Sequence, residues 1–209
     1  TDAYPLTEAD IALITTASSL HDIGKIRIPE EILNKPGRLT DEEFRIMKTH
    51  SELGADMIQD MHFPKDNSLV RASWEICRWH HERWDGKGYP DGLKGEEIPI
   101  SAQVVSIVDV YDALTSERCY KKAFDHDTAM NMILDGQCGQ FNPILLKCLK
   151  ELSLPFSKML STEMDDNKYY HEVQSLSNEI LSDRSLPNLN YSQSVIKILQ
   201  EKIDFFKTN

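Results

Sequence analysis

Residues 40–61, "TDEEFRIMKTHSELGADMIQDM", decide how the rest of the chain is read. Thr40 followed by Glu43 is a capping-box pattern, in which the hydroxyl and the carboxylate each accept from the other's backbone N–H. Phe44, Met47, Leu53, Met57, Ile58 and Met61 form a broad apolar face, so the spacing predicts one amphipathic helix over 40–61. His50 intrudes among those apolar positions, three residues after Met47. A buried polar group needs a partner, and a partner for His50 has to come from elsewhere in the chain.

The flanking segments read as helices too. In 7–20, Ile11, Ile14, Ala17 and Ala9, Leu13, Leu20 fall at helical spacings behind a Thr7 N-cap. A third helix is predicted over about 68–81. A fourth starts near Pro99, as its first helical residue, and carries Val104, Val105, Ile107, Val108, Tyr111 and Leu114. Asp125 or Asp127 caps a fifth, and "NPILLKCLKEL" (142–152) starts a sixth with Pro143. The pattern predicts an all-α fold. Between the third and fourth helices, "ERWDGKGYPDGLKGEEI" (82–98) holds four of the chain's nine glycines. A loop of this length inside a compact domain is more often functional than a surface excursion. Beyond Leu154-Pro155 the chain turns polar, and "SQSVIKILQEKIDFF" (192–206) carries an apolar stripe of Val195, Ile198, Leu199, Ile203 and Phe206. The expected organisation is a domain over 1–153 and a helical C-terminal extension over 154–209. The stripe folds back on its own domain or supports a homodimer.

The 209 residues are 40% hydrophobic and 27% charged, which suits a soluble globular protein. No stretch approaches the roughly 18 apolar residues of a membrane span. The opening "TDAYPLTEAD" lacks the basic start and apolar core of a secretory leader, and it does not begin with Met, as expected of a piece of a longer protein. Cys77, Cys119, Cys138 and Cys148 are scattered without a Cys-x-x-Cys pair, as expected of reduced thiols in the cytoplasm. A net charge of −11 argues against a protein that coats polymeric nucleic acid. A small phosphorylated ligand stays open if metal or a local cluster supplies positive charge.

Candidate companions for His50 stand in three places. "SLHDIGK" (19–25) offers His21 and Asp22, "RWHHERWDGKGYPDG" (78–92) offers His80 and His81, and "SIVDVYDALTS" (106–116) sets Asp109 in an apolar run. Burying an unpaired carboxylate is very costly. One or two divalent ions would satisfy all of these groups together, and imidazole with carboxylate suits iron, manganese, nickel or zinc. The absence of cysteine from the set argues against a structural thiolate zinc site. Taken singly each signal is weak, because a lone buried histidine more often just hydrogen-bonds. The joint placement of His21, Asp22, His50, His80, His81 and Asp109 at apolar positions or helix ends carries the case. His62, His126 and His171 lie in polar or loop contexts and read as surface residues.

Three stretches, "LHDIGKIRIPEEILNKPGRLTDEEFRIMKTHSELGA", "HHERWDGKGYPDGLKGEEIP" and "IVDVYDALTSERCYKK", resemble the HD-GYP subgroup of the HD phosphohydrolase superfamily over about residues 7–150. The resemblance implies an HD-type helical bundle with a Gly-rich loop. It also implies a centre of two or three divalent ions, iron or manganese first among them. The implied activity is hydrolysis of cyclic di-GMP to a linear dinucleotide or GMP, in bacterial signalling, with an upstream sensory or receiver module. By motif, Asp22 of the His21-Asp22 pair would bridge metals, His50, His80 and His81 would hold the second ion, and Asp109 would close the first site. Lys25 would sit near the scissile phosphate, and Arg118 and Lys121 would touch substrate phosphates. Read without the resemblance, those last two are solvated charges at a helix terminus. Gly88, Tyr89 and Pro90 are the signature loop, with Glu82 able to orient a ligating histidine and Asp112 a supporting group. Trp79, Trp84 and Tyr89 either stack on a base or pack the loop. The family usually has a further histidine ligand upstream of the His-Asp pair, and no histidine precedes His21 here. Glu8 and Asp10 are the acids at hand and are not assigned that role. Two alternatives stand beside the phosphodiesterase: a weakly active or inactive module that binds cyclic dinucleotides or proteins, and a phosphohydrolase acting on another nucleotide.

Overall fold

The computed structural model describes residues 4–61, 67–116 and 122–152. Arg118, Lys121, His62, His171 and the whole predicted extension with its apolar stripe lie outside the described residues. Among the described residues the fold is all-helical.

Helix α1 (Glu8–Ser18) opens on the predicted Thr7 cap, with Asp10 completing a capping box. It ends sooner than the pattern suggests, and Ile11 faces outward, 54% exposed. A 3₁₀ turn, Ile23–Arg27, and a short α2 (Glu30–Leu33) follow, neither foreseen from the spacing. The stretch predicted as one helix is two, α3 (Asp41–Lys48) and α4 (His50–Gln59), broken at Thr49. The break has a local cause: the Thr49 hydroxyl donates to the Ile46 carbonyl at 2.7 Å, and His50 Nδ1 lies 2.7 Å from the Met47 carbonyl. Side chains thereby compete with the backbone for the carbonyls of the turn. The Thr40–Glu43 capping box forms as predicted.

Helix α5 (Ser68–Trp79) lies against α1, α4 and α6 (Ile100–Thr115), and the 3₁₀ turn lies against α4. Pro99 precedes α6 as its N-cap instead of being its first residue. Ala17, Ala72, Ile76 and Val105 form one buried cluster, with Leu13, Ile14 and Leu69 packed on it. Fully burying a side chain such as Ile76 stabilises by ~1.5–3 kcal/mol. Helix α7 (His126–Leu134) is capped by Asp125 and packs on α6, and a last helical run covers 143–152. His126 is not the free surface residue expected: it is half-buried, its Nδ1 2.8 Å from the Tyr111 hydroxyl.

The turn carrying Asp22 lies hard against the start of α4. A Cβ added at Gly24 would stand 1.9 Å from the His50 carbonyl oxygen and 2.5 Å from Gly54 N. Glycine at 24 is what lets the His21-Asp22 turn lie beside His50.

Candidate metal centre

Helix ends deliver the histidines. His21 stands in the turn after α1, His50 opens α4, and His80 caps α5 with His81 following it. Asp109 comes from within α6. Backbone carbonyls aim the rings: Nδ1 of His21 is 2.8 Å from Ser18 O, and Nδ1 of His80 is 2.8 Å from Ile76 O and 3.0 Å from Cys77 O. His50 has the matching contact to Met47 O. A carbonyl only accepts, so each Nδ1 carries its proton and donates. In neutral His50 and His80 this leaves Nε2 as a bare lone pair turned inward.

Those lone pairs meet. His50 Nε2 and His80 Nε2 are 3.4 Å apart, and the ligand atoms of His50, His80 and His81 all lie within 4.8 Å of one another. Asp22 Oδ1 is 3.3 Å from His50 Nε2 and 4.0 Å from His80 Nε2. That oxygen is buried without a hydrogen-bond partner. Lone pairs and an anionic oxygen in this arrangement repel unless a cation stands among them, and nitrogen with oxygen donors suits a divalent transition metal. The donor set therefore fits a metal ion.

The other carboxylate oxygen, Asp22 Oδ2, faces His21 Nε2 at 3.3 Å and is ion-paired with Lys25. Asp109 Oδ1 is 3.7 Å from His21 Nε2. Asp22 thus divides its oxygens between the His50–His80–His81 cluster and the His21–Asp109 pair.

Charge states follow from these contacts. Burial pushes His50 and His81 below the ordinary histidine value, and it takes His80, with help from the neighbouring His21 and His50, down to about 4. These three are neutral near pH 7, the form that coordinates a metal. Burial opposes charge on His21 as well, but Asp109 and Asp22 carry it up to about 10. Burial also opposes ionisation of Asp22 and Asp109, yet His21 holds both below the usual carboxylate range, with Lys25 adding to the effect on Asp22.

The Gly-rich segment is pinned by carboxylates. Glu82, 2% exposed, accepts through Oε1 from the N–H of Asp91 at 2.7 Å and of Gly92 at 2.9 Å, so it braces the loop instead of orienting a histidine. Asp91 accepts from Arg78 Nε and Nη2 at 2.7 and 2.8 Å and from Trp79 Nε1 at 2.7 Å. Trp79 therefore packs the loop, its ring 4.9 Å from that of Trp74. A Cβ at Gly88 would stand 2.4 Å from Arg83 N and from Glu82 Cα, so this glycine is needed for the loop to fold back on the His80–His81 segment. Tyr89, joined to Pro90 by a cis peptide, stacks on His81 with ring centroids 4.7 Å apart.

Of the other expected groups, Asp112 is exposed and accepts from the Ser116 hydroxyl at 3.1 Å. Asp10 is engaged with Thr7 in the α1 cap. The sequence reading missed Arg83, whose Nη1 donates to Ser106 Oγ at 2.7 Å and whose guanidinium lies over Phe141 at 5.1 Å. It ties the His80–His81 segment to α6 about one turn before Asp109. Only the fold reveals that contact, because Arg83 stands in a loop with no periodicity to read.

A family model described as "HD domain" matches residues 3–143. A Vibrio cholerae serotype O1 protein named cyclic di-GMP phosphodiesterase is 46% identical over 144 residues, covering 68% of this chain and 29% of its own length. A Xanthomonas campestris pv. campestris protein, the cyclic di-GMP phosphodiesterase response regulator RpfG, is 41% identical over 138 residues, covering 66% of this chain and 35% of its own length. A second Vibrio cholerae protein, 3′3′-cGAMP-specific phosphodiesterase 2, is 38% identical over 148 residues, covering 71% of this chain and 28% of its own length. The match spans about a third of each relative.

Proposed function

The chain belongs to the HD domain family, in its HD-GYP branch, and from that premise we propose that it is a metal-dependent phosphodiesterase opening cyclic di-GMP to a linear dinucleotide or GMP. The observation that carries the reading is the convergence of His50 and His80 Nε2 on the unpartnered Oδ1 of Asp22. His50, His80, His81 and Asp22 would hold one divalent ion, and His21, Asp22 and Asp109 the other. We favour iron or manganese. Bound there, such ions offset charge on the phosphate and make water more acidic near neutral pH.

The chain's own residues then have separable tasks. Carbonyls of Met47 and Ile76 keep the His50 and His80 imidazoles in one tautomer, so their donor atoms are in place before substrate arrives, while His21, aimed by the Ser18 carbonyl, would give up its Nε2 proton to hold an ion. Lys25, held on Asp22 Oδ2, supplies a positive charge for a non-bridging phosphate oxygen. Arg118 is suited to grip phosphate in two-point fashion and Lys121 as a point charge. Water adds to phosphorus, the bond to the ribose 3′-oxygen breaks, and the water proton ends on that oxygen.

Residues 1–153 are read as the HD-type bundle with its Gly-Tyr-Pro loop, and 154–209 as a helical extension available for a homodimer. The name of the Xanthomonas relative, a response regulator, supports an upstream receiver or sensory module. No helix among the described residues is long and apolar enough to cross a membrane, in keeping with a cytoplasmic enzyme. Similarity to the 3′3′-cGAMP-specific relative supports a second substrate, the hybrid cyclic dinucleotide.

The test is incubation of the purified protein, with manganese(II) or iron(II), against both cyclic dinucleotides. Linear product that disappears in the His80→Ala, His81→Ala double variant supports the proposal. Tight binding without turnover, at full metal content, overturns it in favour of a binding module.

A further inference from the structure

Phe44 belongs by pattern to the apolar face of the helix, yet it is 49% exposed. One turn on, the Lys48 ammonium lies 5.4 Å from the Phe44 ring centroid and 5.5 Å from that of Tyr89. Tyr89 in turn stacks on His81 at an interplanar angle of 29°. An unbroken row therefore runs from an open aromatic ring, through an ammonium and a phenol, to a histidine of the metal cluster. Among the described residues the ion-paired lysines are Lys25, Lys35 and Lys87, so Lys48 is held in no ion pair there. Residues four apart on a helix ordinarily touch, which accounts for Phe44 meeting Lys48. It does not account for Tyr89, from the distant loop, meeting the same ammonium.

We propose that Phe44 and Lys48 form a nucleotide subsite beside the histidine cluster, taking the half of a cyclic purine dinucleotide that is not being cleaved. The purine stacks on the open face of Phe44, and Lys48 neutralises the second phosphate. This rests on the cyclic-dinucleotide activity proposed above. Two features fit it. The ammonium is held between two rings by cation–π attraction, so less freedom is lost when phosphate arrives. The chain's net charge of −11 makes a cation free of an ion pair at this position valuable for a dianionic ligand. Every base has a π-face, so the subsite favours cyclic dinucleotides as a class without choosing guanine over adenine.

Steady-state kinetics on cyclic di-GMP with the manganese-loaded full chain test it. Phe44→Ala raises KM about tenfold, the usual scale for losing a stacked base, with kcat and bound manganese holding at wild-type values. Phe44→Trp restores KM. Lys48→Met raises KM and flattens its salt dependence, and Lys48→Arg does neither. An unchanged KM in Phe44→Ala overturns the subsite, as does a joint fall of kcat and metal content, which marks a structural role. If wild type hydrolyses cyclic di-GMP and Phe44→Ala matches it, the subsite alone fails. If wild type neither binds nor cleaves any cyclic dinucleotide, the proposed activity fails and takes the subsite with it.

Discussion

Gly24→Ala is the sharpest single test of how the metal centre is assembled. The added Cβ would meet the His50 carbonyl oxygen at 1.9 Å, Gly54 N at 2.5 Å and the His50 carbonyl carbon at 2.9 Å, all of them backbone. No side-chain rotation relieves such contacts. Van der Waals contact for carbon begins near 3.5 Å, so the turn and α4 must part by roughly 1 Å or more. The 3.3 Å approach of Asp22 Oδ1 to His50 Nε2 opens with them. Overpacking costs ~1–3 kcal/mol, and with only backbone in the way the upper end applies. For a domain of this size ~3 kcal/mol lowers Tm by about 6–12 °C. A misplacement of ~1 Å at reacting groups costs about 100-fold in kcat. Circular dichroism melts, manganese binding and cyclic di-GMP turnover read these effects. Gly37→Ala is the control, since nothing lies within 4 Å of its added Cβ, and it should stay within ~1 kcal/mol of wild type. A Gly24→Ala protein that melts with wild type and keeps its manganese and turnover refutes the close-approach reasoning.

Three further outcomes are expected. Asp91→Ala frees the loop from Arg78 and Trp79 and costs ~1 kcal/mol, after allowance for partial exposure, in urea melts. Arg78, with Trp79, holds the Asp91 carboxyl below its ordinary value; its contribution is thus complete above that ordinary value and is lost as pH falls through the lowered one, so the gap between wild type and variant should close on acidification below about pH 4. Asn142→Ala removes donors to Tyr4 Oη and Gln103 Oε1, both at 2.8 Å, and an acceptor for Ile144 N; a stability loss of ~2 kcal/mol is expected in the same melts. Manganese(II) at about 100 times its Kd should stabilise wild type by ~2.7 kcal/mol per occupied site and stabilise the His80→Ala, His81→Ala variant, which keeps only His21, Asp22 and Asp109 intact, by clearly less, as thermal shift will show.

The sequence by itself determined the helical class, the caps at Thr7 and Thr40, and the short roll of imidazoles and carboxylates to bring together. Those are local matters: a cap is set by residues three apart, and a histidine among apolar neighbours announces that it needs a partner. Only the tertiary structure decided what each group faces. It broke the 40–61 helix at Thr49, where side chains take two carbonyls, and so turned His50 inward. It assigned Glu82 to brace the loop, sent Asp112 to solvent, drew Arg83 to Ser106, and left Phe44 open beside Lys48 and Tyr89. The reason is physical: these contacts join residues dozens of positions apart, and their geometry depends on close approaches such as Gly24 against His50. Helical periodicity tells which face a residue shares, but not what lies across from it.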